Sequence, residues 1–546
     1  MSEGDSGSNP LSRRRFLGGT AGALALGATG LGACTPGTES SPEKPWDHEF
    51  DVVVIGSGTG LVAALAARVA GAEVVVLEKR KIIGGTTGHS GGVAWIPNNN
   101  VMKSEGLVDD RAKAMEYLTK LSGGQATQEL LDAFLDAGPE MADFVEAHSP
   151  LRWRVSKILG DNADYHPEWP GAMTRGRSIE PVTDRVGLYG PELIGGLQKG
   201  FEEAGGTIWT ETPARRLIVK HHDETRREIV GVEAIRDGKP IRIRARLGVH
   251  LASGGFEWDF ELKKHFLRAP TLYTLGAGGN TGDGLRMAMA VGADLRNMNE
   301  VYGHTVYKAE AEAQRPYNMG ATLNAEIEKR VAGSIVVNDR GERFHDEAAD
   351  YDTTWRSYYT WENWGETRYR NIPAFLIFDG SVRAKGQIAG ASASDPLPDW
   401  VVEARTLREL ATRLGIDPEG LEATVARFNA HARQGIDPDF TRGKSHYDRY
   451  GSPDVGITLA PIVNAPFYGA EVAPADLGTC GGARVDGSAR VLDPFGEVIP
   501  GLSASGNVAG VGSPGASYGG GGGTIGPALT FAFIAGRMLG ERVGQA

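Results

Sequence analysis

The sequence predicts an α/β protein whose mainly parallel sheet carries a β-meander and is interrupted by an inserted α+β domain. Three observations lead there. A strand, glycine turn, helix and second strand open at residue 51; an alternating segment runs between Ile208 and Leu247; and glycine-rich loops return only after residue 476. Both ends of the folded chain therefore supply one domain, and the stretch between them is an insertion.

Asp51 to Ile55 is a short apolar run, as expected of a parallel strand buried on both faces. Gly56 and Gly58, with Ser57 and Thr59 between and after them, let the backbone turn tightly and approach a pyrophosphate. The helix opening near Gly60 aims free N–H groups at that charge. From Leu61 to Val69 the helix is apolar nearly all round, which places it inside the domain. A third glycine is expected at position 61, where Leu61 stands instead, so the helix start is expected to shift slightly, with Ala63 and Ala64 permitting close packing. The second strand, Glu73 to Leu77, ends at Glu78, whose carboxylate can accept both hydroxyl protons of a ribose, and Lys79 follows it. These parts indicate a dinucleotide. The second glycine loop, GGTTGHSGG from residue 84, turns that reading toward a flavin, with Gly85, Thr86, Thr87, Ser90, Gly91 and Gly92 as its candidate contacts.

Upstream, residues 11–34 read LSRRRFLGGTAGALALGATGLGAC, a twin-arginine export signal over 1–34 ending in a lipobox at Cys34. Twin-arginine export carries folded proteins, which suits a cofactor loaded before transport. Residues 35–47 have the polar, proline-bearing composition of a tether. Lipidation of Cys34 would leave Cys480 alone, so no disulfide framework is possible. A net charge of -12 argues against nucleic acid as a partner, and no Cys/His cluster has metal-ligand spacing.

The rest of the chain divides by rhythm. Asp110 to Leu121 and Thr127 to Ala147 read as amphipathic helices. The alternation before and after the turn Asp237-Gly238 is the β-excursion, and GVHLASGGFE (248–257) returns to the sheet with another strand-end glycine loop. NTGDGLRMAMAVGADL (280–295) opens a helix with Asp283 in its first turn, either complementing the dipole or contacting a flavin ribityl chain. These segments make 48–298 the first part of the cofactor domain. Aromatic and charged residues dominate 299–466, read as the substrate or capping domain, and 467–546 returns as the second part, with Gly506, Asn507, Thr524 and Ile525 as further cofactor contacts. A helix starting after Thr524 would face negative charge at a flavin edge.

GGTTGHSGGVAWIPNN (84–99), SIVVNDRGERFHDEAADY (334–351), LGTCGG (477–482) and YGGGGGTIGPALTF (518–531) together resemble the fumarate reductase flavoprotein superfamily, and within it the 3-ketosteroid Δ1-dehydrogenases. The resemblance covers the chain from about residue 50 onward. It implies a glutathione-reductase-like FAD-binding domain, with a Rossmann-type sheet plus β-meander, and an apolar ketone as substrate. In that family a tyrosine removes a proton from C2 while the flavin takes a hydride from C1. Tyr351, four residues after the Gly-x-Arg-Phe-x-x-Glu stretch Gly341 to Glu347, falls where the steroid enzymes have that base. Tyr165 in GDNADYHPEWPG (160–171) falls on the tyrosine that assists it, by stabilising its phenolate. Tyr518 and Gly522 match the tyrosine hydroxyl and glycine N–H that hold the ketone oxygen.

His89 lies two residues before Gly91, the wrong spacing for the histidine that carries covalent flavin in some relatives. Noncovalent FAD is therefore expected, with His89 shaping the flavin or substrate pocket. Two other functions stay open: reduction of a fumarate- or urocanate-type enone in an extracytoplasmic respiratory chain, and a non-catalytic ligand-binding lipoprotein. Lipidated Cys34 would hold the protein at the membrane, where a quinone is a plausible electron acceptor.

Overall fold

Strand His48–Ile55 is the axis of the first sheet, bonded in parallel to Val74–Leu77 on one edge and to the end of Lys239–Leu251 on the other. This computed structural model describes residues 45–546 except 159, 186, 224–226, 270, 314–321, 387, 512–516 and 545–546. Residues 1–44, on which the expected export signal, Cys34 and most of the expected tether fall, lie outside the described residues. Thr207–Trp209 and Val498–Ala504 extend the sheet in parallel at its two sides. Val52, Val53 and Val54 are fully buried, as the apolar run requires.

Strand Lys239–Leu251 has two roles. Its first residues pair antiparallel with Arg227–Arg236, which pairs with Ala214–His221, and this is the β-meander. The hairpin turn holds Asp237 and Gly238 at φ 51° and 73°, the paired left-handed conformation that matches strand twist. The α/β class, the parallel sheet and the meander are those the sequence predicts.

The anticipated shift at position 61 has a simple basis. The helix Gly60–Val69 starts at Gly60 itself, where a Cβ would lie 2.7 Å from that of Ala252, and Leu61 is buried. The terminal helix Ile525–Gly540 packs against it through glycine: a Cβ on Gly536 would lie 2.3 Å from the Ala63 carbonyl oxygen. The two amphipathic helices are Arg111–Ser122 and Gln128–His148, each capped by the polar residue before it, Asp110 and Thr127.

The second sheet is centred on Phe467–Thr479, which pairs antiparallel with Val301–Tyr307, Ala374–Phe378 and Val402–Ala404, and in parallel with Tyr273–Thr274. Ser334–Asn338 adds to Ala374–Phe378. The boundaries read from sequence, at 299 and 467, therefore differ from the sheet's membership, since Tyr273–Thr274 and all of Phe467–Thr479 belong to the second sheet. This strand carries small residues at Gly469, Ala470, Ala473, Ala475 and Gly478. Their physical reason is packing: a Cβ on Gly469 would lie 2.6 Å from Leu414. Both sheets belong to one compact unit, Trp46–Ala546.

Replacing Gly536 by valine pushes the terminal helix off helix Gly60–Val69. The expected cost is about 1–3 kcal/mol, read as a lower denaturation midpoint with an unchanged m-value in urea.

Candidate active site

Glycine brings several loops together at the C-terminal ends of the parallel strands. Gly56 has φ +107°, and a Cβ there would lie 2.3 Å from the Ala252 carbonyl oxygen. A Cβ on Gly58 would meet the Gly84 carbonyl at 3.2 Å, so the two sequence motifs touch. One on Gly506 would lie 3.4 Å from Thr59 Oγ1, which adds the loop after Val498–Ala504. In the second glycine loop, Gly84 and Gly85 have positive φ, and a Cβ on Gly92 would strike the Tyr189 carbonyl carbon at 2.4 Å. The N–H groups of Gly58 and Thr59 find no acceptor among the described residues, and Thr59 puts no side-chain cap on the helix. Unsatisfied amides at a helix start beside obligatory glycines fit a pyrophosphate.

Several candidate contacts hold one another. Glu78 accepts from Ser57 Oγ at 2.5 Å and from the Arg80 N–H at 2.8 Å, while Ser57 Oγ accepts the Gly84 N–H at 3.0 Å. Lys79 and Asp283 form an ion pair of 2.7 Å, with Thr281 as a second partner of the lysine. Thr86 Oγ1 accepts from the Ala277 N–H and from Asn280, and Ser90 Oγ bridges the Thr87 carbonyl and the Gly92 N–H. Thr87 and His89 bound a short 3-10 turn, Gly91 packs near Ile158, and Asn507 lies in the turn Gly506–Ala509 against Gly478. His89 is exposed and lies outside the tyrosine cluster.

Tyr351, Tyr165 and Tyr518 meet in one cluster. Ring centroids are 5.3 Å apart for Tyr165 and Tyr351, 5.4 Å for Tyr351 and Tyr518, and 5.6 Å for the stacked pair Tyr165 and Tyr518. Tyr518 Oη accepts the Thr524 N–H at 3.1 Å and lies 2.6 Å from Thr524 Oγ1. The polyglycine loop beside it is ordered, because Gly519, Gly521 and Gly522 carbonyls accept from Tyr165 and Tyr117, from Ser178, and from Trp95 respectively. Gly522 itself has φ +92°, and its N–H has no partner among the described residues. Ile525 starts the terminal helix directly behind this loop.

With this geometry in view, comparison with known proteins is decisive: the FAD binding domain family model matches residues 51–524. The chain belongs to that family. The flavoprotein is 37% identical to the 3-oxosteroid 1-dehydrogenase of Mycobacterium tuberculosis, over 91% of this chain and 99% of that one. It is 36% identical to the 4-oxocyclohexanecarboxylate 2-dehydrogenase of Sinomonas cyclohexanicum, over 91% and 93% of the two chains. Its fold matches 3-ketosteroid Δ1-dehydrogenase from Sterolibacterium denitrificans with a TM-score of 0.82 and 29% identity, covering 90% of this chain and all of that one. The protein is an FAD-dependent dehydrogenase of the 3-oxosteroid 1-dehydrogenase-like branch, and the non-catalytic reading falls.

Two buried ion clusters set the flavoprotein's tyrosines in place. Glu347 takes a bidentate pair from Arg343 at 2.8 and 2.6 Å, a third contact from Arg442 at 3.0 Å, and the Val336 N–H. Burial alone would raise its carboxyl, but the two guanidinium groups hold it far below the usual range. Four residues on, Tyr351 begins the helix Tyr351–Ser357 behind the cap Asp350. On the other side Arg177 binds Asp109 and Asp164 at 2.8 Å each. Asp164 also accepts the Trp95 indole N–H and forms a β-bridge with Gly520, which fixes Tyr165 against the polyglycine loop.

Burial and then the neighbouring Tyr165 and Tyr518 push the Tyr351 phenol well above the ordinary range. Three phenols packed together desolvate one another and repel a shared negative charge. Sequence reasoning also missed Tyr302, Tyr447 and Cys480, which complete the cluster. Cys480 lay inside the motif LGTCGG, while Tyr302 and Tyr447 carried no local signal.

Glu347→Gln leaves two buried guanidinium groups facing a neutral amide, with an expected loss of about 3–5 kcal/mol. Because the folded carboxyl titrates below the unfolded one, its stabilisation is present above about pH 4.3 and is lost as pH falls. Urea midpoints measured across acid pH should therefore decline for the parent protein and decline less for the variant.

Proposed function

We propose that this dehydrogenase introduces a 1,2 double bond into a 3-ketosteroid, holding FAD noncovalently. The observation that carries the reading is the meeting of Tyr351, Tyr165 and Tyr518 beside the unpartnered Gly522 N–H. A C–H next to a ketone becomes acidic only when the developing enolate charge is met by preorganised donors. Tyr518 Oη and Gly522 N–H are such a pair. Thr524 N–H donates into Tyr518 Oη, and with Thr524 Oγ1 also donating across 2.6 Å the phenol's own proton is left for the ketone oxygen. Burial raises the Tyr518 phenol, and the Thr524 and Tyr351 contacts work in the opposite direction, favouring it as a donor. Tyr351 Oη removes the C2 proton, with Tyr165 beside it to orient the hydroxyl. FAD, when bound, supplies the acceptor for the hydride from C1. The free amides of Gly58 and Thr59 would hold its pyrophosphate, with Glu78 at the ribose and Asn507, Thr524 and Ile525 near the far end.

A smaller cyclic ketone is the second reading, favoured by the 36% identity to an enzyme named for 4-oxocyclohexanecarboxylate. The tyrosine chemistry is the same for both. Export by the twin-arginine route, lipidation of Cys34 and a membrane quinone as acceptor complete the proposal, supported by the sequence 11–34.

Tyr351→Phe should retain bound, visibly yellow FAD and lose about 10²–10⁴ in kcat; undiminished turnover of a 3-ketosteroid with an artificial acceptor would overturn the role of Tyr351. Comparing kcat/KM on 3-ketosteroids and on 4-oxocyclohexanecarboxylate decides between the two substrates. For the location, Cys34→Ser should move the protein from the membrane to the soluble extracytoplasmic fraction, and unchanged membrane recovery would remove the lipid anchor from the proposal.

A further inference from the structure

A tyrosine base needs a nearby positive charge, and the cluster as described so far supplies the opposite. Burial raises Tyr165, Tyr351 and Tyr518 alike, and acidic groups face the cluster from several elements. Asp350 and Asp352 belong to the segment carrying Tyr351, Asp448 follows Tyr447, Asp164 precedes Tyr165, and Glu326 lies on helix Asn324–Glu328. The buried cations nearby are already committed. Arg177, Lys329, Arg343, Arg356 and Arg442 each have a carboxylate within 3.0 Å.

Arg330 differs from all of them. It is 4% exposed, and among the described residues it makes no ion pair. Its guanidinium is sandwiched by the rings of Tyr447 and Tyr450, at 4.5 and 4.4 Å from their centroids. One nitrogen donates to Tyr447 Oη at 3.0 Å and another to the Tyr447 carbonyl at 3.1 Å, while Nε has no partner among the described residues. The Tyr447 ring lies 4.9 Å from that of Tyr165, which contacts Tyr351. A buried cation lacking a carboxylate is costly unless a negative charge forms close by, and aromatic faces compensate only part of that cost. The phenols of Tyr447 and Tyr450 are the ionisable groups in direct contact with it, while the carboxylates of Glu326 and Asp448 act on it without an ion pair among the described residues.

We propose that Arg330, acting through Tyr447, is the counter-charge that lets the tyrosine cluster hold a phenolate, and so is a positioning residue for the base. The proposal rests on the assignment of Tyr351 as base. It gives Tyr447 a purpose beyond packing: its hydroxyl relays the guanidinium's field to Tyr165, and Tyr165 passes it to Tyr351. The ionised form is reached by loss of a phenolic proton to solvent, and no other reactant is required.

The test uses FAD-loaded enzyme with Arg330→Gln, Arg330→Lys and Tyr447→Phe. The first readout is the tyrosinate difference absorbance during a substrate-free pH titration, with Tyr351→Phe identifying the step that belongs to Tyr351. Arg330→Gln and Tyr447→Phe should each move that step to higher pH by about one unit, and Arg330→Lys should restore it in part. The second readout is the pH profile of kcat/KM on a 3-ketosteroid, expected to fall about tenfold at neutral pH in the glutamine variant and to recover as pH rises. Tyr447→Phe keeps the ring and keeps the test available if the buried arginine proves indispensable for folding. Variants that bind FAD like the parent and leave both the titration and the profile unmoved overturn the proposal. If the parent enzyme itself turns over no ketone, the substrate reading fails, and the substrate-free titration alone still decides the role of Arg330.

Discussion

The structure depends on backbones approaching more closely than any side chain permits. At Gly56 the obstacle is the Ala252 carbonyl, at Gly522 the Val93 carbonyl, and at Gly526 the Trp95 carbonyl, each within 2.1–2.5 Å of where a Cβ would stand. Loops far apart in sequence can share one small region only because these positions have no Cβ. Amides that would otherwise be capped then face outward together, and their chemistry follows from that crowding.

Charge does the complementary work of placing side chains. Arg177 and Glu347 each sit at the centre of a saturated buried cluster, and each fixes one wall of the tyrosine site. Such clusters contribute little net stability but tolerate few alternative arrangements. Arg330 has the same burial without the same satisfaction, and that contrast separates a charge that holds structure from one available to chemistry.

Much of this was legible in the sequence because glycine and short motifs are local signals. The strand, turn and helix at 48–69, the turn at Asp237-Gly238 and the caps Asp110 and Thr127 follow from residues within a few positions of each other. Tyr351, Tyr165 and Tyr518 were found through motifs spread over 350 residues, and the structure brings them into ring contact. What escaped were relations that only folding creates. Tyr302 and Tyr447 look like any of the fifteen tyrosines until folding brings strand Val301–Tyr307 and the turn at Tyr447 together. The strand Phe467–Thr479 was grouped with the glycine loops that follow it in sequence, although its hydrogen bonds go to the second sheet.

The cluster draws Tyr302 from the second sheet, Tyr351 from the start of its helix, Tyr447 from a loop, and Tyr165 and Tyr518 from segments tied to the short strands Ala94–Trp95 and Ser178–Pro181. The glycine cradle is built mainly at the strand ends of the first sheet. A fluctuation that opens the seam between the two sheets would scatter the reacting groups while sparing the cradle, so activity would be lost in a sub-global opening before the cofactor is released. Substitutions that stiffen this seam would therefore raise the temperature at which activity is lost while leaving cofactor retention unchanged.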